Sequence, residues 1–147
     1  MALRTYDFNR VVVLFAGFPI TGFGSNGGVS ITFNEDVWDP VVGADGEESR
    51  ARKNNDGAEC TITLMQTSMS NDLLQGFLEL DIATGYGVYP MLIKDLNGLS
   101  TYGSAAAYIK ARPAASYNAG VEEREWTIRM LDVKDFCGGN LDTALLG

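Results

Sequence analysis

Two runs of alternating apolar and polar residues constrain the fold of this chain more than any other feature. In Val29–Phe33, and again in Cys60–Leu64, apolar side chains occupy every second position. A period of two is typical of a strand that buries one face, because successive side chains point to opposite sides of a sheet. The sequence therefore predicts two half-buried strands that frame a long hairpin loop.

The predicted loop, at about residues 39–58, is Gly-rich and dense in charge. Loops longer than about 12–15 residues without their own secondary structure are uncommon in compact domains, and they are usually functional or disordered. The charges are sorted, with acidic residues before basic ones. We predict that this loop contacts other copies of the chain, with Trp38 as an apolar anchor. The predicted contact residues are Asp45, Glu47, Glu48, Arg50, Arg52 and Lys53.

A single amphipathic helix is predicted after the second alternating run. Ser70 or Asn71 can cap its first turn, and Gly85 ends it. Its apolar stripe, spaced at helical intervals, consists of Leu73, Leu74, Phe77, Leu78 and Ile82.

Four further segments have the composition of strands. They are Val11–Phe15, Tyr89–Ile93, Ala105–Arg112 and Trp126–Val133. One helix among several short strands is typical of antiparallel β proteins. We predict a mainly β fold, which is an antiparallel β-sandwich or barrel with one flanking α-helix and a long extended hairpin loop.

The length of 147 residues fits a single domain with a sizeable core. An apolar fraction of 46% is that of a globular protein. The Gly-rich end of the chain, at about residues 137–147, is predicted to be a flexible tail. A weak apolar face there consists of Leu141, Leu145 and Leu146.

The composition argues against catalysis. The chain contains no histidine, which removes the commonest general base and metal ligand. Its formal net charge of −8 disfavours nucleic acid as an affinity partner, because such binding relies on Lys and Arg. Cys60 and Cys137 are predicted to be free, packed thiols. We therefore expect no enzymatic activity, no cofactor and no metal site.

The N-terminal residues do not have the pattern of a signal peptide, since the apolar run Val11–Phe18 is short and ends at Pro19. No stretch approaches the roughly 18 apolar residues of a membrane-spanning helix. The protein is expected to be soluble, without a membrane partner, and made in a cytoplasm.

The segment Gly22–Gly27 matches the pattern G-x-G-x-x-G. In a dinucleotide site this pattern follows a strand and opens a helix, whose first amides bind the pyrophosphate. Here a predicted strand follows the glycines, so a flexible turn is expected instead.

Three acidic residues, Glu122, Glu123 and Glu125, lie close together in the sequence. Glycoside hydrolysis uses two carboxylates, but these must face each other across a cleft. The alternatives are a solvated edge, a surface of negative potential and a hydrolase site.

Two motifs link the loop to the helix. V-V-G-A-D-G occupies Val41–Gly46, and T-I-T-L-x-Q-T-S occupies Thr61–Ser68 and leads into the predicted helix start at Asn71. The order of these parts along nearly the whole chain resembles the tail tube proteins of tailed bacteriophages, in particular small structural proteins of contractile-tailed phages. Neither motif carries chemistry.

The resemblance implies a structural subunit of the virion, synthesised in the host cytoplasm. Six copies would close into a ring by extending their sheets across subunits. Rings would stack into a hollow tube through which DNA passes without specific binding. The expected partners are further copies of the chain and the tail sheath, tape-measure and baseplate proteins. The loop would reach neighbouring subunits, and Glu122, Glu123 and Glu125 would face an acidic lumen.

A monomeric β-sandwich binding module is the alternative prediction. It would recognise a carbohydrate or another protein through Tyr86, Tyr89 and Tyr102. An aromatic-lined cleft would support this alternative.

Overall fold

The computed structural model describes residues 3–25 and 28–140. A short 3₁₀ turn at Phe8–Arg10 precedes the first strand. The elements are, in chain order, β1 (Val11–Phe15), β2 (Phe18–Pro19), β3 (Val29–Phe33), β4 (Trp38–Val42), β5 (Glu48–Arg52), β6 (Ala58–Met65), α1 (Ser70–Thr84), β7 (Tyr89–Asp95), β8 (Thr101–Ala111), β9 (Glu123–Leu131) and β10 (Lys134–Phe136).

The strands form two sheets in which every pairing is antiparallel. The main sheet has the strand order β2-β1-β7-β8-β9-β6-β3, and β10 pairs with the beginning of β8. β4 and β5 form a separate two-stranded sheet. The predicted mainly β, antiparallel fold with one flanking helix is confirmed.

The main sheet curls around its own apolar face. β3 lies at one end of the strand order and β1 and β7 near the other, yet all three line the same cavity of about 320 Å³. The rings of Phe8 and Phe23 meet edge to face near this opening, with centroids 5.2 Å apart. A single apolar core therefore lies inside the curl, and α1 packs on it through Leu74 and Leu78.

The alternation that predicts the central strands also decides which side chains are buried. Ile62 lies opposite Trp126, and Cys60 lies opposite Ile128. Fully burying one large apolar side chain contributes about 1.5–3 kcal/mol, so this ladder is a main source of stability. The buried positions of β6 and β9 are Cys60, Ile62, Leu64, Trp126, Ile128 and Met130.

The start of α1 differs from the prediction. Met69 is the residue before the helix, and neither Ser70 nor Asn71 caps it. Ser70 Oγ instead accepts the N–H of Thr21 at 3.0 Å, and Asn71 Oδ1 accepts the indole N–H of Trp126 at 2.9 Å. Both side chains make long-range contacts that hold the helix on the sheet, which local sequence does not reveal.

The apolar stripe of α1 is mostly confirmed. Leu74 and Leu78 are buried, and Leu73 and Phe77 pack against the core. The prediction that Ile82 belongs to the buried stripe is wrong, because the last turn of the helix is exposed to solvent and this side chain is 64% exposed. The helix ends at Gly85 as predicted, with φ at +75°. In the described part of the chain, no helix is both long and apolar enough to span a membrane.

The segment at about 39–58, predicted as a long extended hairpin loop, contains two paired strands of its own, which the sequence does not predict. β4 and β5 pair from Trp38 opposite Arg52 to Val42 opposite Glu48. The sequence does not predict these two strands, because both of their faces are exposed and their residues do not alternate between apolar and polar. β3 and β6 frame this segment as predicted.

Part of the predicted tail is described. The Ser100 hydroxyl and the backbone of Gly138 exchange two hydrogen bonds of 2.9 Å, and Asn140 Nδ2 donates to the Thr5 carbonyl at 3.0 Å. The predicted apolar residues Leu141, Leu145 and Leu146 lie outside the described residues.

Replacing Leu74 by Ala is expected to lower the free energy of unfolding by about 2–5 kcal/mol, because it removes a fully buried side chain and leaves a cavity. Ile82→Ala on the same helix is the matched control, and its effect should stay within about 0.5 kcal/mol. Urea denaturation of both variants measures the difference. Equal losses would contradict the packing of α1 described above.

The two cysteines are expected to differ in reactivity. Cys60 is buried, whereas Cys137 is exposed rather than packed as predicted. Burial raises the pKa of the Cys60 thiol to about 12, so it stays protonated and unreactive near neutral pH. A thiol reagent should label only Cys137 in the native chain and both cysteines in denaturant, as read by mass spectrometry. Equal native labelling would contradict the buried position of Cys60.

Candidate functional site: a projecting arm and an open sheet edge

Residues 37–53 form an arm that stands apart from the main sheet. It consists of β4, β5 and the turn between them, and every residue of both strands is exposed. Lys53 N donates to the Val37 carbonyl at 2.9 Å and closes the root of the arm. Neither strand joins the main sheet. The arm therefore presents both of its faces to other molecules.

The V-V-G-A-D-G motif is the end of β4 and the turn of this arm. Gly43 N donates to the Glu47 carbonyl at 2.8 Å, and Gly46 N donates back to the Gly43 carbonyl at 3.0 Å. Gly46 has a φ of +86°, the left-handed conformation that a three-residue hairpin loop requires. Asp45 Oδ1 accepts the Glu47 N–H at 3.1 Å. The motif thus specifies a tight, ordered tip.

The arm separates its charges along its length. The predicted acidic residues Asp45, Glu47 and Glu48 lie at the tip, in the turn and at the first residue of β5. The predicted basic residues Arg50, Arg52 and Lys53 lie towards the root. Glu48 and Arg52, at the two ends of β5, are about 14 Å apart at the usual rise of a strand. The arm is therefore a dipole with a negative tip.

The basic residues at the root make contacts within their own chain. The Arg50 guanidinium lies 3.8 Å from the ring centroid of Trp38, a cation–π contact, and Trp38 remains 41% exposed. Arg52 pairs with Asp56 at 3.0 Å and also donates to the backbone of Val37 and Lys53. These contacts hold the root in place, whereas among the described residues of the tip the one side-chain hydrogen bond is that from the Glu47 N–H to Asp45.

One edge of the main sheet is open. Thr63 N donates to the Gly28 carbonyl and Asn34 N to the Gly57 carbonyl, so the even-numbered residues of β3 bond to β6. Antiparallel pairing alternates, which turns the N–H and C=O groups of Val29, Ile31 and Phe33 outward. Within the described residues these groups have no hydrogen-bond partner. β3 is therefore a template for another strand.

The other edge of the main sheet is short and blocked. β2 pairs with β1 across a tight turn, with Ile20 N donating to the Val13 carbonyl at 2.9 Å. In this register Pro19 faces outward, and proline has no N–H to offer to a further strand. The two edges thus differ, because one invites strand addition and the other resists it.

The three predicted acidic residues do not form one cluster. Glu125 is exposed on the face of β9 that points away from the core. Glu123 shares that face and is half-buried, close enough to Gly24 that an added Cβ would lie 2.6 Å from its carboxyl carbon. Glu122 precedes β9 and accepts a hydrogen bond from Asn118. Glu123 and Glu125 lie side by side on one face of a strand, whereas hydrolysis requires two carboxylates that face each other across a cleft.

The same outward face of the sheet carries a feature that the sequence interpretation overlooked. The residues that alternate with the core positions of β3, β6 and β9 are rich in hydroxyl groups. Glu59 on this face accepts a hydrogen bond from Lys110 and lies 3.9 Å from Arg129. The Lys110 contact, aided by the charge of Arg129, lowers the pKa of Glu59. The hydroxyl-bearing positions are Ser30, Thr32, Thr61, Thr63 and Thr127.

The glycine motif does not open a helix. Gly22 has a φ of +80° and accepts the Met65 N–H, and Gly24 N donates to the Thr63 carbonyl at 3.1 Å. β3 follows, as predicted, so the described glycines do not open a helix, and their segment runs alongside β6. Gly27 lies outside the described residues.

The tyrosines of the alternative binding module lie in different surroundings. Tyr86 is 85% exposed after the helix. Tyr89 packs against Phe77, with ring centroids 4.8 Å apart. Tyr102 lines the cavity between β3 and β7. These three side chains do not form one aromatic cleft, which removes the specific basis of that prediction.

Comparison with known families gives a match over most of the chain. Residues 16–138 match the family described as bacteriophage PhiTE tail tube protein. The sequence is also 35% identical over 144 residues to structural protein ORF10 of Pseudomonas phage KPP10, covering 92% of this chain and 83% of that protein. The predicted resemblance to phage tail tube proteins is confirmed.

Solved structures with the same fold come from contractile injection systems. One is from the sheath–tube complex of the extracellular contractile injection system PVC in its extended state, with a TM-score of 0.63, 15% identity, and coverage of 91% of this chain and 93% of that chain. Another is from the tube terminating cap of the anti-feeding prophage, with a TM-score of 0.59, 10% identity, and coverage of 94% and 95%. At this level of identity the likeness concerns the fold.

Removing the arm is expected to leave the fold and its stability intact, because both of its strands are exposed and the core contains none of their residues. Joining Val37 to Lys53 through two glycines replaces residues 38–52 at a point where the chain already returns on itself. Thermal unfolding of this variant should match that of the full chain within a few degrees. A large loss of stability would contradict the separateness of the arm.

Proposed function

Since the chain belongs to the bacteriophage PhiTE tail tube protein family, and is a structural component of the virion rather than an enzyme, we propose that identical copies join through the open β3 edge into rings of six. The rings stack into a hollow tube, and DNA passes through this tube at ejection. The number six, the stacking and the passage of DNA follow from the resemblance to tail tube proteins.

The open edge of β3 is the observation that supports this assembly best. Three N–H and three C=O groups, from Val29, Ile31 and Phe33, face outward without partners in the described chain. Pairing with a strand of a neighbouring copy satisfies them, and repetition of one head-to-tail contact closes a ring. The blocked edge at Pro19 disfavours a second, competing mode of strand addition.

The hydroxyl-rich outward face of the sheet is the surface that we propose lines the channel, together with Glu123 and Glu125. The two cations of this face, Lys110 and Arg129, both lie against Glu59, and Glu123 and Glu125 add two further negative charges to the same face. With a net charge of −8 per copy, a wall of this kind repels the DNA phosphates and lets the polymer slide. Glu122, on the loop before β9, fits a lumen position less well.

Further partners are proposed from the resemblance and from the solved neighbours. A tail sheath around the tube is supported by the neighbour from a sheath–tube complex. Tape-measure and baseplate proteins, synthesis in the host cytoplasm and a contractile tail are expected from the resemblance to tail tube proteins. The protein is the wall of a conduit in this account, without a cofactor.

The substitution Ile31→Pro tests the edge directly. It removes an outward N–H at the centre of β3, and proline is tolerated on an edge strand. Ile31→Ala is the matched control, since it loses more of the side chain but keeps the N–H. We expect the wild-type chain and the Ala variant to form rings or tubes in negative-stain microscopy and light scattering, and the Pro variant to remain a folded monomer.

Two outcomes would contradict the proposal. A wild-type chain that stays monomeric at high concentration would contradict the proposal that the chain assembles with itself. Normal tubes from Ile31→Pro would show that the β3 edge is not the joining surface.

A further inference from the structure

A second surface with unusual charge lies far from the arm. It is a pocket of about 410 Å³, which lies within the range of about 300–1,000 Å³ that small-ligand sites occupy. It opens where β6 ends, α1 begins and β9 begins. Among its lining residues are Gln66, Asp72, Arg112, Tyr117, Arg124 and Trp126. We call it the basic pocket.

Arg124 is buried in this pocket and has no acidic partner among the described residues. Only 7% of the residue is exposed. Its guanidinium donates to the carbonyls of Glu123 and Ser116 and to Gln66 Oε1, at 3.3–3.4 Å, and lies 5.0 Å from the ring of Tyr117. None of the four ion pairs among the described residues includes Arg124.

These contacts are long and neutral, and a buried charge is unfavourable unless it is paired. A guanidinium has five donors arranged as a fork that matches a carboxylate. Binding of an anion to Arg124 would therefore be favourable, because it would neutralise a buried positive charge and use the hydrogen-bond donors of the guanidinium.

The charge of the pocket favours a carboxylate. Arg112, which is exposed at the rim, and Arg124 together outweigh Asp72, the one acidic residue among the lining side chains. Trp126 is already satisfied, because its indole N–H bonds to Asn71. A locally positive pocket on a chain of net charge −8 is selective for acidic groups that protrude from a surface.

The pocket and the arm lie at opposite ends of the main sheet. β6 begins at Ala58, beside the root of the arm, and ends at Met65, directly before Gln66 of the pocket. Its length is about 24 Å at the usual rise of a strand. The arm is exposed on both faces and does not fold back over its own sheet. The described lining of the pocket includes no residue of the arm, so the tip of one copy does not fill its own pocket.

We propose that the basic pocket of one copy receives the acidic tip of the arm, Asp45, Glu47 and Glu48, from a second copy. This inference rests on the proposed self-assembly and assigns its contact between rings, since two ends of one molecule meet head to tail. The Glu47 and Glu48 carboxylates make no hydrogen bond or ion pair within the described chain. The bound carboxylates pair with Arg112 and Arg124 and leave the root of the arm as it is.

A charge exchange in the full chain tests this contact. Arg112→Glu alters the exposed rim and spares the buried Arg124, so the variant is expected to fold. Glu47→Lys with Glu48→Lys alters the tip. Each variant should raise the concentration needed for tube formation by about tenfold or more, and their combination should recover at least part of that loss. Arg4→Glu makes the same charge change at an exposed site outside the pocket and should leave assembly unchanged.

Disulfide trapping gives a readout that is independent of stability. Glu48→Cys and Arg112→Cys are combined in a Cys137→Ser background, where the buried Cys60 stays unreactive. Oxidation of assembled material should yield a ladder of covalent multimers. Chains with either new cysteine alone cannot go beyond dimers, because each carries a single reactive thiol.

The outcomes separate this inference from the proposed function. If the wild-type chain forms tubes and both charge variants form them equally well, the contact is overturned while the tube remains. If charge variants fail, the combination brings no recovery and no ladder appears, the contact is likewise overturned. A wild-type chain that never assembles overturns both.

Discussion

The ladder between β6 and β9 is the interaction on which the rest of this structure depends. Eight residues of β6 pair in register with eight of β9, and the buried face of that ladder forms the centre of the core. The ends of the same ladder position both candidate surfaces. The arm leaves the chain before Ala58, and the basic pocket opens after Met65. Stability and the spacing of the two surfaces proposed to join copies therefore have one origin.

A second theme is that the chain leaves groups unsatisfied in specific places. The outward backbone of β3 lacks a partner strand, Arg124 lacks a carboxylate, and the arm lacks a surface to pack on. Each is unfavourable for an isolated molecule. In the proposed assembly all three are satisfied by further copies of the same chain, which makes them consistent with one another and with membership of a tail tube family.

Much of the fold could be predicted because a strand with one buried face has apolar residues at every second position of its sequence. Trp126, Ile128 and Met130 alternate in the sequence and are buried in the structure. The arm could not be predicted as strands, because exposure on both faces leaves no such alternation. The local sequence predicts a capping role for Asn71, although its partner Trp126 is 55 residues away. Nothing in the sequence distinguishes Arg124 from the acidic residues around it, since its burial depends on α1 and the loop at Tyr117.

The central claim is that β3 is a joining edge, and residue-resolved amide hydrogen exchange tests it most directly. In the monomer, the amides of Val29, Ile31 and Phe33 should exchange fast while those of Ser30 and Thr32 exchange slowly. After assembly all five should be slow. Outward amides that are already slow in the monomer, or that stay fast in the assembled tube, would contradict the account.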